Sequence, residues 1–121
     1  HARFLRESGR DTDMTINLRA LVDPTQESGV PGGAALLEFS EAVIGSDRER
    51  LDSARDVLAL TLSPAAVSGA SAIAGNFSKN DRIANGCGIP VDSIVMNITE
   101  DIRADLGLND FRSAINTFKN M

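Results

Sequence analysis

The stretch that most limits what this chain can fold into runs from Ser63 to Gly86, "SPAAVSGASAIAGNFSKNDRIANG". Ser63 suits an N-cap, and Pro64 suits the first helical position, where the missing N–H had no intrahelical partner anyway. The spacing predicts one long helix reaching Asn85, with Gly86 as the left-handed residue beyond its end. Ala66, Ala70 and Ala74 recur every four residues, as do Ser71 and Gly75. That spacing lets another helix approach closely. Gly69 and Gly75 each cost about 1 kcal/mol of helix propensity against alanine, and a close partner accounts for their presence.

The rest of the chain follows helical periodicity, and no alternation of strand type appears. "HARFLRES" reads as a short helix ending at Gly9. A second helix is expected over Asp13–Val22, with Met14, Leu18, Leu21 and Val22 on one face and Pro24 as its stop. "DPTQESGVPGG" reads as a linker. A helix over Ala34–Ile44 turns Leu36, Phe39 or Ser40, Val43 and Ile44 inward. The next is capped by Ser46, with Asp47 and Glu49 at the positive end of its dipole, and its stripe is Leu51, Ala54, Leu58 and Leu62. The charge run from Arg48 to Asp56 is its solvated face. Asp92 caps a helix reaching Leu106, with Ile94, Val95, Ile98, Ile102 and Leu106 inward and Gly107 as its stop. Asp110–Lys119 closes the chain with a stripe of Phe111, Ala114, Ile115 and Phe118. The expectation is an all-α bundle of about six to seven helices, in a single domain over residues 1–121.

Composition narrows the function. Seventeen acidic residues oppose twelve basic ones, for a net charge of -5, and there is no Tyr or Trp. This argues against a nucleic-acid partner, which needs clustered cations and stacking platforms. One cysteine and one histidine exclude an internal disulfide, a cysteine-built zinc site and a histidine-cluster metal site. No cofactor is expected. No apolar run approaches the roughly 20 residues that span a bilayer, and no basic-then-apolar leader opens the chain. The expected compartment is the cytoplasm. The Asn-x-Ser/Thr matches at Asn76 and Asn97 are read as chance.

Cys87 is the one candidate nucleophile beyond serine and threonine. A reactive thiol wants a helix N-terminus or a nearby cation. Cys87 instead follows the C-terminus of the long helix, so it is expected to be a buried or half-buried small residue. Asp81 and Arg82 are read as an ion-paired or solvated helix face, with a pocket wall as the functional alternative. Asn76, among small and apolar neighbours, is expected to be a buried amide held by hydrogen bonds, with a pocket wall as its functional alternative as well. "GVPGG" lacks the strand and lysine of a phosphate loop, and no Ser-His-Asp order can be drawn with the histidine at position 1.

The stretch "AIAGNFSKNDRIANGCGIPVD", Ala72 to Asp92, resembles a pattern of the carboxymuconolactone decarboxylase and alkylhydroperoxidase D superfamily: A-x-x-x-N-F-x-x-x-x-R-I-A-x-x-x-G-I-P-x-D. The preceding "AALLEFSEAVIGSDRERLDSARDVLALTLSPAAV" is similar to the helices before it in the peroxidase-related branch. The resemblance covers about Ala34 to Asp92. It implies an all-α, obligately oligomeric protein. In active members a Cys-x-x-Cys with a histidine shortly after reduces hydroperoxides. This sequence has no Cys-x-x-Cys, and Cys87 falls in the G-x-G-I-P turn, so it inherits no role. "HARFLRESG" resembles the segment that begins at the motif histidine. His1 is then that histidine, with the cysteine-bearing helices upstream; the other reading is a tag remnant.

Two functions follow as expectations. One is a peroxidase-type, alkylhydroperoxidase D-like protein without redox cysteines in this chain. The other is a non-catalytic helical module for oligomerisation or small-ligand binding. A homo-oligomer is expected, joined through Ala66, Ala70, Ala74 and Phe77 or through Phe111, Ile115 and Phe118.

Overall fold

The computed structural model describes residues 1–120, and the regular structure among them is entirely helical. The α-helices are α1 (Ala2–Asp11), α2 (Gly33–Ile44), α3 (Arg48–Thr61), α4 (Pro64–Gly86), α5 (Ser93–Ile98), α6 (Glu100–Asp105) and α7 (Ile115–Phe118). Short 3₁₀ turns cover Leu18–Leu21, Leu108–Asp110 and Arg112–Ala114. The chain is therefore all-α, with the number of helices that its periodicity predicts. The residues group into two compact units: Gly29–Asp81, and His1–Ser28 together with the chain from Arg82 onward.

The 29–81 unit is built on the α2–α3 hairpin. Phe39 and Leu58 are 1% and 0% exposed and meet across it, with Ala42 and Ala54 filling the same layer. Alanine at both positions lets the two helices come close enough for those large side chains to interlock. Burying each contributes roughly 1.5–3 kcal/mol. Leu36, Val43 and Leu51 pack around this layer, and Val67 and Ala70 of α4 close it. Ile44 and Leu62, expected inward, are half exposed instead, at the ends of their helices where the hairpin no longer covers them.

The α3 cap is Asp47, not Ser46: its carboxylate accepts from the Arg50 N–H at 3.0 Å. Asp47 has the extended backbone of a cap, and a carboxylate there also meets the positive end of the helix. One turn on, the Arg50 guanidinium bridges the hairpin. Its Nε and Nη2 donate to the two Glu38 oxygens at 2.6 and 2.7 Å, and Nη2 also reaches Glu41 at 2.9 Å. These bonds hold the Glu38 carboxyl below its ordinary range.

α4 starts as its sequence predicts, with the Ser63 Oγ accepting from the Ala66 N–H at 3.1 Å. Its end differs. Gly86 is the last helical residue, and the left-handed residue is Gly88, at φ 66°. The Gly88 N–H donates to Asn85 O at 3.2 Å and the Ile89 N–H to Ala84 O at 2.9 Å. That pair of bonds is a Schellman motif, which satisfies the carbonyls a helix end leaves open. Pro90 then blocks continuation, and Asp92 caps α5 by accepting from the Ile94 N–H at 2.8 Å.

The other unit departs further from simple periodicity. α1 runs through Gly9 to Asp11. The helix expected over Asp13–Val22 is reduced to one 3₁₀ turn. Asn17 explains this: its N–H donates to Ser28 O at 2.9 Å, its Oδ1 accepts from the Arg19 N–H, and its Nδ2 donates to Gln26 Oε1. These bonds pin the backbone in an extended approach. The helix expected over 92–106 breaks at Thr99 into α5 and α6. Side chains take the carbonyls that a continuous helix would have used: Thr99 Oγ1 binds Val95 O at 2.6 Å, Arg103 Nη2 binds Met96 O at 2.7 Å, and Arg3 Nη1 binds Ile98 O at 3.2 Å. The break changes which residues face inward. Met96, Ile102 and Leu106 are buried, whereas Ile94, Val95 and Ile98 are exposed. Ile102 and Leu106 pack with Leu18, Ala2, Ile16 and Leu108. The helix expected over 110–119 is likewise interrupted: Phe111 is extended, and only Ile115–Phe118 is α-helical.

Two measurements test these assignments. Gly88→Ala is expected to lower stability by about 1 kcal/mol, because alanine disfavours positive φ, whereas Gly86→Ala is neutral or stabilising. Urea unfolding of the pair checks this, and the reverse order refutes the cap. Glu38, with its carboxyl held low, contributes stability above the ordinary glutamate range that is lost as pH falls through its lowered value. The stability difference between the native chain and Arg50→Gln is therefore expected to shrink between pH 7 and about pH 3. A constant difference in acid unfolding curves would rule out the clip.

Candidate functional site

The opening candidates all sit near the end of α4 or at the N-terminus. Asn76 is exposed, not buried as expected, and its Oδ1 accepts from Lys79 Nζ at 3.0 Å, one turn on. Helical geometry alone explains that contact. Asp81 and Arg82 are both exposed. Cys87 is exposed as well, correcting the expected buried position. It is the C-cap residue of the Schellman turn, and its N–H donates to Ile83 O at 2.9 Å. Such a cap holds the backbone and leaves the side chain outward. His1 is exposed, with its ring centroid 6.3 Å from that of Phe4 in a tilted arrangement. These residues form no shared catalytic constellation. Among the described residues, no group of three or more His, Cys, Asp or Glu side chains could hold a metal ion.

Two other features stand out. The first is apolar surface. α4 is a 23-residue helix in which no residue is buried, and Ile73 on it is 63% exposed. Leu60 and Val57 on α3 are 87% and 52% exposed. In the other unit, Phe4, Ile94 and Phe111 are each more than half exposed. Of the two stripes expected to join copies, the C-terminal one, Phe111, Ile115 and Phe118, is exposed, whereas on α4 only Phe77 is: Ala66, Ala70 and Ala74 are half-buried, and Ala70 packs on the α2–α3 core.

The second is a groove beside α1, to which no sequence motif pointed. Arg6 and Arg10 lie one turn apart on its helical wall, and Asp13–Ile16 form the other wall. Gly9, between the arginines, is buried. A Cβ there would run into the Ile16 side chain and sit 2.8 Å from Met14 O, so glycine is what lets the following loop lie against the helix. The Met14 N–H donates to Gly9 O at 2.8 Å, and Asp13, at φ 54°, turns the chain back. The open volume is about 470 Å³. Arg6 Nη1 donates to Asp101 Oδ2 at 3.0 Å and keeps that carboxyl below its usual range. Arg10 Nη1 donates to Glu7 at 3.0 Å. Arg6 Nε is buried without a hydrogen-bond partner, a placement that costs on the order of 1–3 kcal/mol. The signal was in the sequence as Arg-x-x-Gly-Arg, but a helix with two surface arginines is too common a pattern to single out.

Comparison with protein-family models, with curated proteins and with solved structures finds no match to this chain.

The exposure of Cys87 is open to direct measurement. Under native conditions the thiol is expected to be labelled completely by a thiol reagent, on the timescale of a free model thiol. Cys87→Ser should leave the unfolding free energy within about 0.5 kcal/mol, as for surface substitutions away from special features. Protection from the reagent until the protein unfolds would show a buried thiol.

Proposed function

We propose that this chain is a non-catalytic helical association module of alkylhydroperoxidase D-like type, whose partner is a second copy of itself. The observation that carries the reading is its apolar imbalance. Among the described residues, nine apolar residues are buried, while nineteen large apolar residues are exposed. Single exposed apolar residues need no explanation, but a surplus of this kind marks surface meant to be covered. α4 is the interface element in this reading, because it presents Ile73 among small residues that let another helix approach.

The resemblance gives the type. Each part of "G-I-P-x-D" falls on a physical role: Gly88 is the left-handed stop, Ile89 closes the Schellman turn, Pro90 ends the helix, and Asp92 caps the next one. The pattern reads as helix punctuation, so it can be shared by a protein without redox chemistry. The dithiol step has no counterpart here, since the sequence holds one cysteine. No described helix is long and apolar enough to cross a membrane, and a cytoplasmic location belongs to the same reading.

Light scattering after size exclusion tests it. At tens of micromolar a dimer or larger species is expected, and a monomer overturns the association role. Ile73→Asp should shift the species toward monomer, because a charge in an apolar interface has no partner. Dissociation by Phe118→Asp alone would place the interface at the C-terminus. Consumption of an organic hydroperoxide with a dithiol reductant should not exceed the protein-free rate. Turnover by this chain would refute the non-catalytic assignment.

A further inference from the structure

We propose that the groove beside α1 is a binding site for a small oxyanion, a carboxylate or phosphate group, held by Arg6, Arg10 and Thr15. The site does not involve α4, so it stands or falls separately from self-association.

The donors are more numerous than their present uses. A guanidinium carries five N–H groups in a fixed fork. Arg6 spends Nη1 on Asp101, and Arg10 spends Nη1 on Glu7. The Arg6 Nε is buried and has no acceptor among the described residues. A buried donor in that state calls for a specific explanation, and a bound ion is among the few available. An oxyanion taken along the Nε edge of the guanidinium is the preferred bidentate arrangement. It requires Arg6 to turn that edge toward the groove it already lines. Arg10, one helical turn away, brings a second positive charge to the same wall. Thr15, on the facing wall, is exposed and adds a hydroxyl donor.

Asp13 in the groove opposes an anion, as do the Asp101 and Glu7 carboxylates already paired with Arg6 and Arg10. Asp13 also holds a position at positive φ, where Asp and Asn are the best tolerated side chains after glycine. Asp13→Asn therefore removes the opposing charge without disturbing the turn, a variant that a merely structural cluster would not reward. The volume, about 470 Å³, suits a small molecule rather than a peptide or polymer.

The experiment is a calorimetric titration of the purified chain with inorganic phosphate and, separately, with acetate, at constant ionic strength set by chloride. Saturable binding of at least one of them in the millimolar range is expected, and the tighter arm names the headgroup class. Arg10→Gln should weaken it by about tenfold, as for loss of one charge-assisted contact. Thr15→Val should weaken it less, and Asp13→Asn should tighten it. Arg112→Gln, at an exposed arginine outside the groove, should leave it unchanged. Circular dichroism of each variant verifies that the helices are intact. Absence of saturation by about 20 mM for both anions, or equal losses in Arg10→Gln and Arg112→Gln, overturns the site.

Discussion

The contact between Phe39 and Leu58 carries the 29–81 unit. These are its fully buried large side chains, and they meet only because alanines at 42 and 54 keep α2 and α3 close. A chain with five phenylalanines and no other aromatic residue has few large groups with which to fill a core. It places one of them at the centre of the hairpin and leaves the other four at the surface, 38% to 72% exposed. The Arg50 clip and the Asp47 cap lie at the rim of the same hairpin and fix its ends. The small-residue side of α4 then has a surface to lie on, with Val67 and Ala70 as its contacts. Ile73 on the same helix stays 63% exposed, and the proposed association rests on it.

In the other unit, polar side chains do what the thin core cannot. Leu18, Ile102 and Leu106 form a small apolar cluster. Around it, Arg3, Thr99 and Arg103 bind the open carbonyls at the end of α5. The Thr117 hydroxyl accepts from the Val91 N–H at 3.0 Å and is itself buried. The exposed ion pairs add little to stability. The bonds to backbone carbonyls matter more, since they decide where helices stop and which faces turn inward. Arg6 differs, anchored to the Asp101 carboxylate, with its Nε buried and unpartnered among the described residues.

The turn "GCGIPVD" shows how a short motif can look catalytic and be structural. A cysteine between two glycines suggests a reactive loop. Its backbone instead closes α4 with paired hydrogen bonds, and its Asp92 side chain caps α5. Cys87 is exposed because a C-cap side chain points away from the helix end it closes. The expectation of a buried or half-buried thiol rested on its place at the helix C-terminus, which disfavours a thiolate but says nothing about burial.

The sequence by itself determined the helical class, the long helix from Pro64, the caps at Ser63 and Asp92, and the α2–α3 stripe of Phe39, Ala54 and Leu58. These depend on periodicity and on residues that act within one turn of themselves, so local physics is enough to read them. Tertiary structure decided the rest. The helix expected over Asp13–Val22 yielded to Asn17, whose partners lie nine to eleven residues away, at Gln26 and Ser28. The helix through Thr99 yielded to Arg3, whose partner Ile98 is 95 residues distant. The α1 groove likewise required Gly9 to meet a loop folded back on it. Each outcome was set by a bond or an approach between residues that periodicity cannot relate, because its range is a single turn of helix.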